Sequence, residues 1–193
     1  MKEHTKKYPD GFTRCSWPGN DDVYIEYHDR EWGVPVEGDS AHFERVVLEG
    51  FQAGLSWITI LKRREGFREA FLNFDIEKVA LMTDKDVERL MLNEAIIRNR
   101  AKIQAAIVNA KVALGLDVSL SKLLWSHAPE KQTKPASTFE PLARSDESIA
   151  LSKALRKLGF SFVGPTTMYA LMQSIGMVND HAPGCFRRKQ LSQ

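Results

Sequence analysis

The sequence predicts an all-α protein, and three observations support that fold class. Apolar residues recur at helical spacing through most of the chain after residue 39, and typical capping residues stand where the helices would begin or end. Only residues 160–163 alternate like a strand, and so short a segment cannot build a sheet. The chain of 193 residues is 43% hydrophobic, which is enough to bury a core within one domain.

The first part of the chain shows little helical periodicity. Residues 1–12 predict a flexible tail, and residues 13–38 predict irregular but ordered chain, because glycines and prolines interrupt a row of aromatic residues. A helical region is expected to begin after Asp39 and Ser40, which are both suitable N-caps, and its apolar stripe continues to Leu61. A further short helix is expected within residues 67–74.

The second part of the chain has clearer boundaries. Residues 96–114 predict a long amphipathic helix that ends at Gly115, and residues 126–144 predict a loop rich in proline and polar residues. Gly159 closes another helix, and Pro165 suits the first turn of the last helix. Capping residues are expected to begin three of the helices, at Asp75, Thr83 and Ser145, and a further short helix is expected over residues 119–125.

The two cysteines, Cys15 and Cys185, lie near opposite ends of the chain. A pair so placed excludes a disulfide-rich secreted scaffold and leaves a long-range disulfide, two idle thiols or two ligands of one metal. The charged N-terminus has no apolar run after it, so we expect a cytoplasmic protein with no membrane partner. A structural disulfide is disfavoured in that reducing compartment.

Each cysteine has a histidine at metal-site spacing. His28 follows Cys15 after twelve residues, and Cys185 follows His181 after three. Two thiolates and two imidazoles suit a structural, tetrahedral Zn²⁺ site, which would clip the two ends of the chain together. The alternative is that all four are ordinary buried residues.

Large aromatic residues are concentrated in the first 57 residues, most of them in the irregular N-terminal part. Such rings suit a flat aromatic ligand, for example a nucleobase that has left a duplex. The alternative is that they only fill the core, as aromatic residues commonly do. The rings in question belong to Trp17, Tyr24, Tyr27, Trp32 and Trp57.

Glu49 interrupts an apolar helical run. A carboxylate in such a run needs a polar ligand or a donor, because burying it alone is unfavourable. Within a cage of aromatic rings, it would suit a ligand with an amino group and positive charge. The alternative is a helix-face glutamate paired with Arg45 or Lys62.

Two glycines bracket a short apolar turn between two helices, at Gly159 and Gly164. This pattern is typical of a helix–hairpin–helix, which turns backbone amides toward a DNA phosphate. Lys153, Arg156 and Lys157 could add positive charge, whereas an ordinary helix–helix connection is the alternative. The formal net charge of +2 means that DNA affinity would rest on such a local feature rather than on a broadly basic surface.

Several motifs in this order make the chain resemble the bacterial 3-methyladenine DNA glycosylase I (Tag) family, over about residues 13–186. These are RCSW at 14–17, YIEYHDREWGVP at 24–35, LEGFQAGLSW at 48–57, IRNRAKI at 97–103, and GFSFVG at 159–164 leading to VNDH at 178–181.

The resemblance implies a helix–hairpin–helix DNA glycosylase fold with two helical lobes in one domain over residues 13–186. The end of the chain departs from the family pattern, and a flexible basic tail is expected over 187–193. It implies hydrolysis of the N-glycosidic bond of N3-methyladenine in alkylated double-stranded DNA. The products would be free 3-methyladenine and an abasic site, with no lyase step, and the enzyme would act as a monomer. A zinc-stabilised module that recognises modified bases without cutting is the competing interpretation.

The resemblance also implies residue roles. Glu49 is the catalytic-site carboxylate that recognises the flipped base. Asp180 stands about where many related glycosylases carry a catalytic aspartate, but it adjoins His181 and we assign it no catalytic part. The remaining roles fall to three groups: zinc ligands Cys15, His28, His181 and Cys185; base-binding residues Tyr27 and Trp57, flanked by Trp17, Tyr24 and Trp32; and DNA-backbone residues Gly159, Phe160, Val163 and Gly164.

Overall fold

A computed structural model describes residues 4–131 and 139–192, and within these ranges the fold is mostly helical. A hairpin of two short strands precedes the helices, and one 3₁₀ turn lies at Leu72–Phe74. The strands and helices are β1 (Thr5–Lys7), β2 (Thr13–Cys15), α1 (Asp22–Arg30), α2 (Asp39–Gln52), α3 (Trp57–Leu61), α4 (Arg64–Ala70), α5 (Ile76–Ala80), α6 (Asp84–Met91), α7 (Arg100–Leu114), α8 (Leu120–Trp125), α9 (Asp146–Leu158), α10 (Pro165–Ser174) and α11 (Phe186–Leu191).

The capping residues begin the helices that the sequence predicts. The side chains of Asp75, Ser119 and Ser145 each accept a hydrogen bond from the backbone amide three residues further on. Asp86 accepts from the Thr83 amide at 2.9 Å and completes a capping box. These contacts satisfy amides that the first turn of a helix leaves without a backbone partner.

The expected cap of α2 is wrong in its detail. The helix does begin at Asp39, but its N-cap is Gly38. The Asp39 carboxylate instead accepts from the backbone amides of Leu120 and Ser121 at 3.0 and 2.9 Å. Asp39 therefore links the start of α8 to the start of α2. Local sequence patterns cannot predict this contact, because its partners lie far apart in the sequence.

The N-terminal part contains more regular structure than the sequence predicts. β1 lies within the segment expected to be a flexible tail, and it pairs antiparallel with β2 in a register that joins Thr5 to Cys15. α1 lies within the segment expected to be irregular, with Asp21 accepting from the Tyr24 amide at 3.2 Å. Strands of three residues are too short to display alternation, and prolines and glycines on both sides conceal the nine-residue helix.

The C-terminal part differs from expectation as well. α11 covers most of the segment expected to be a flexible basic tail, and Arg188 is buried there, with Nη1 donating to the carbonyl of His181. Residues 160–163 form a turn rather than a strand. Part of the expected loop over 126–144, namely residues 132–138, lies outside the described residues, and the described parts on either side contain no helix or strand.

α2 lies at the centre of the fold. It packs against α3, α7, α8 and α10. Its buried apolar residues belong to one core cluster that extends from Tyr27 to Val178: Phe43, Val46, Val47, Leu48 and Phe51. α9 packs on α10, and α5 packs on α7. The division into two lobes stays a prediction. Within the described ranges, no helix has both the length and the hydrophobicity needed to cross a membrane.

Candidate functional site

A cavity of about 360 Å³ opens between α1, α2, α3 and α10. The structure brings the five aromatic residues singled out in the sequence, together with Glu49, to the lining of this one cavity. Polar residues that the sequence did not single out, Ser16, Gln52 and Gln173, also line it. The aromatic residues thus surround an open space rather than only filling the core, although Tyr27 and Trp57 also belong to the core cluster.

The rings lie at different depths. Trp17 is 38% exposed, and its ring makes edge contacts with Tyr24 and Trp32 at centroid distances of 4.8 and 5.1 Å. Tyr27 and Trp57 are buried, with ring centroids 5.5 Å apart and planes inclined by 49°. Aromatic rings at these distances and angles pack favourably. The arrangement combines a rigid inner pair with a ring that is open to solvent.

Glu49 is almost completely buried, at 3% exposure, in the last turn of α2. In the described structure, its Oε2 atom has no hydrogen-bond partner. The two cations considered as partners are engaged elsewhere: Arg45 donates to Glu31 at 2.8 Å, and Lys62 donates to Asp21 at 2.5 Å. The interpretation of Glu49 as a paired helix-face residue is therefore wrong.

Burial controls the charge of Glu49. Loss of solvent raises the pKa of the carboxyl group to about 8, and the Arg45 charge and the Ser174 hydroxyl only partly offset this effect. A buried carboxyl group with an unpaired oxygen is a functional-site candidate, because a protein has no structural reason to keep it.

Asp180 forms part of the same wall. Its Oδ2 atom accepts from the Tyr169 hydroxyl at 2.6 Å and from Gln173 Nε2 at 2.8 Å. Burial and the bond to Asp180 raise the pKa of Tyr169, so this hydroxyl keeps its proton and stays a donor. Sequence reasoning missed Gln173 and Tyr169, because a polar residue on a helix carries no sign of the neighbour that it will meet.

Three of the four expected metal ligands come together. Ligand atoms of Cys15, His28 and Cys185 all lie within 4.8 Å of one another, and all three residues are buried. His28 Nε2 lies 3.5 Å from Cys185 Sγ. Its other ring nitrogen, Nδ1, lies 2.8 Å from Asp29 Oδ1, and Arg14 in turn binds Asp29 through two nitrogens. Such an outer carboxylate orients a metal-binding imidazole.

His181, the fourth expected ligand, lies beside this cluster but not within the 4.8 Å set. Its ring centroid is 4.9 Å from that of His28, and its Nδ1 atom lies 3.0 Å from Asn179 Oδ1. Its Nε2 atom is buried and has no hydrogen-bond partner among the described residues. Two thiols, one imidazole and a second imidazole with a free nitrogen form a donor set that fits Zn²⁺.

The metal-type cluster and the cavity share a wall. Cys15 lines the cavity, the Trp32 ring lies 4.5 Å from that of His181, and the Trp17 ring lies 5.3 Å from that of His28. The N-terminal and C-terminal segments that carry these residues are thus fixed against each other.

A short hairpin joins α9 to α10. Gly159 ends α9 in the left-handed region, with φ of 104°, and Gly164 is the N-cap of α10. Phe160 and Val163 are buried, whereas Phe162 is exposed and adopts a φ of 58°. The geometry agrees with a helix–hairpin–helix and equally with an ordinary helix–helix connection, so the contact with DNA stays a prediction.

A mostly helical fold with an aromatic cavity, one buried carboxylate and a hairpin between two helices defines a class of proteins that can hold a flat ligand bearing an amino group. The chain belongs to the methyladenine glycosylase family, whose model matches residues 17–188.

Relatives and solved structures agree with this assignment. The chain is 48% identical to a DNA-3-methyladenine glycosylase of Haemophilus influenzae, covering 90% of this chain and 96% of the relative. It is 49% identical to DNA-3-methyladenine glycosylase 1 of Escherichia coli, covering 89% and 95%.

Two solved structures illustrate the similarity of fold. A crystal structure of 3-methyladenine DNA glycosylase I (TAG) matches with a TM-score of 0.86 and 48% identity, over 90% of this chain and 98% of that one. The enzyme from Staphylococcus aureus, whose structure describes its recognition of 3-methyladenine, matches with a TM-score of 0.83 and 37% identity, over 91% and 96%.

Proposed function

We propose that this protein is a DNA repair glycosylase that hydrolyses the N-glycosidic bond of N3-methyladenine in alkylated double-stranded DNA. The reaction releases the free base and leaves an abasic site, with no lyase step. The observation that carries the proposal is the unpaired Glu49 carboxyl oxygen within the aromatic cavity of a methyladenine glycosylase family member.

The cavity suits a cationic purine. Methylation at N3 gives the base a positive charge, which aromatic faces attract. Glu49 accepts a hydrogen bond from the exocyclic amine, and its carboxylate form is stabilised by the charge that the lesion brings. Normal adenine lacks that charge and gains less from the same contacts, so the cavity discriminates against it.

The reaction needs little acid catalysis by the protein, because the methylated base is already cationic and leaves without being protonated. The bond between the sugar carbon and the base breaks with its electron pair moving to the base, which neutralises the positive charge already there. Water then adds to the sugar carbon and loses a proton to solvent. The protein extrudes the base from the duplex and stabilises the oxocarbenium-like sugar while the bond breaks.

The α9–α10 hairpin is the proposed grip on the DNA backbone. Residues Gly159, Phe160, Val163 and Gly164 form a tight turn at the start of α10, where backbone amides and the helix N-terminus favour a phosphate. Buried Phe160 and Val163 anchor the turn in the protein. We place this activity in a monomer in the bacterial cytoplasm.

A structural Zn²⁺ is part of the proposal. Cys15, His28, His181 and Cys185 would hold it, and the ion would cross-link the β2–α1 segment to the segment before α11. The support is the convergence of three buried ligand atoms, together with the free Nε2 atom of His181 beside them. Elemental analysis of untagged protein is expected to give about one zinc per chain; protein that is folded and active without zinc would contradict this part.

The deciding experiment measures released base. Purified protein is incubated with methylated duplex DNA, and free 3-methyladenine is quantified by chromatography. We expect release by the wild type and a loss of about 100-fold or more in the Glu49→Gln variant, since one good transition-state contact is worth that much. Glu37→Gln, on an exposed side chain, is the matched control and keeps activity. Binding of methylated DNA with no release at stoichiometric protein would favour the competing non-cutting module.

A further inference from the structure

Lys102, in the first turn of α7, is buried at 8% exposure although its side chain carries a charge. Its ammonium group donates to the backbone carbonyls of Phe51 and Ala53 at 2.8 and 2.7 Å. These carbonyls belong to the C-terminal end of α2, where a helix leaves acceptors without partners and where positive charge is favourable. Lys102 therefore fixes the same helical turn that carries Glu49.

The same α7 helix also holds the hairpin. Asn109, two turns after Lys102, donates through Nδ2 to the Ser161 carbonyl at 3.0 Å, and its Oδ1 atom accepts from the Ser161 amide at 2.8 Å. Both backbone groups of Ser161 are thus held by one side chain. Such a two-point contact defines orientation as well as distance.

Phe162, in the hairpin, lies next to both Lys102 and the last turns of α2. Lys102 Nζ lies 5.9 Å from the centre of the Phe162 ring, and a side-chain carbon added at Gly50 would lie 3.3 Å from Phe162 Cβ. The backbone of Phe162 adopts a positive φ, which is unfavourable for an aromatic residue and persists only where surrounding contacts impose it. The hairpin is therefore pressed against the end of α2 and locked there by α7.

We propose that Lys102 and Asn109 are positioning residues, which fix the hairpin that holds the DNA backbone relative to the pocket that receives the extruded base. This inference rests on the proposed function. Neither side chain lines the aromatic cavity proposed to receive the base. Their effect is on geometry: a displacement of about 1 Å between the two sites can reduce a rate by about 100-fold.

The test separates the pocket from its alignment with the hairpin. Lys102→Met and Asn109→Ala are each measured for thermal unfolding, for affinity toward free 3-methyladenine, and for single-turnover release of that base from methylated duplex DNA. We expect affinity for the free base within about twofold of wild type and release slower by about tenfold or more. Lys102→Arg, which keeps a charged donor, is expected to recover much of the rate. Gln104→Ala, an exposed change on α7, is the control.

Two results would overturn the inference while the wild type is active: release at the wild-type rate in both variants, or a parallel loss of free-base affinity and release. If Lys102→Met does not fold, Asn109→Ala decides the question, because it removes no charge from the interior. A wild type that releases no base from DNA overturns the proposed function itself, and this inference with it.

Discussion

At the scale of single residues, Glu49 shows how burial determines chemistry. The side chain lies in a helix whose other central residues pack the core, yet its Oε2 atom has no partner among the described residues. Burial favours the protonated carboxyl group, because it raises the pKa of Glu49 to about 8. A cationic ligand reverses this preference, so binding of the lesion and ionisation of Glu49 support each other.

The raised pKa of Glu49 predicts a measurable pH dependence of stability. The ordinary pKa of 4.5 applies in the unfolded chain and about 8 in the native state. Both states are protonated below pH 4. Between pH 4.5 and 8 only the unfolded chain ionises, so the native state loses stability as pH rises. Relative to wild type, Glu49→Gln should gain on the order of 4 kcal/mol between pH 4.5 and 8, because the slope reaches about 1.4 kcal/mol per pH unit within this range and falls off at its two ends. Denaturant unfolding of both proteins across this pH range measures the difference. Free energies of unfolding that change in parallel with pH would contradict the prediction.

The sequence reveals some site residues better than others. Aromatic residues in chain without helical periodicity and a carboxylate within an apolar run are anomalies, so Trp17, Trp32 and Glu49 stand out in the sequence alone. Gln173 does not, because nothing in a local pattern shows that α10 turns this polar side chain toward a cavity. Spacing also indicates His181 as a metal ligand, but only the structure shows that it stands outside the set of the other three ligands.

At the scale of elements, helix starts can be predicted from the sequence, because a capping residue acts on amides only a few residues away. Each helix that the sequence begins at Asp75, Thr83, Ser119 or Ser145 starts there in the structure. β1, β2 and α11 were missed because they are short, and α1 because turn residues flank it. The two strands pair with each other, and three residues are too few to show the alternation by which a strand is recognised in a sequence.

The N-terminal strand is expected to contribute to stability. Tyr8 directly follows β1 and is only 7% exposed, with its hydroxyl donating to the Gly19 carbonyl at 2.7 Å and its ring 4.9 Å from the Arg14 guanidinium. Tyr8→Ala should lower the free energy of unfolding by about 3 kcal/mol, and Tyr8→Phe by about 1 kcal/mol. Denaturant titration measures both, with the exposed Lys7→Ala as control. Wild-type stability in Tyr8→Ala would show that the segment is a dispensable tail after all.

At the scale of the whole molecule, the two ends of the chain meet at the cavity. Cys15 and Cys185 pack together with Ala182 in a small cluster of their own, and α11 contacts β2. The pocket wall therefore depends on a contact between residues that are far apart in sequence. A metal at this point would act on folding and on the shape of the base site at once.

Removing a metal ligand should affect the molecule as a whole. Cys185→Ser is expected to lose bound zinc and to lower the melting temperature, since structural zinc stabilises a fold by several kcal/mol. A strong chelator should lower the melting temperature of the wild type toward that of the variant and leave the variant unchanged. Scanning calorimetry with zinc determination measures both. An unchanged melting temperature in the variant would show that a bound metal does not stabilise the fold.

The meeting of the chain ends also has a consequence for biosynthesis. A ribosome adds about 5 to 20 residues per second, so the segment with Cys185 leaves the exit tunnel about 10 to 30 s after the segment with Cys15. Throughout that interval the N-terminal aromatic residues lack the C-terminal segment that completes their pocket. The nascent chain can bury its central helices early, but the wall of its base site is completed only once the segment with Cys185 has emerged.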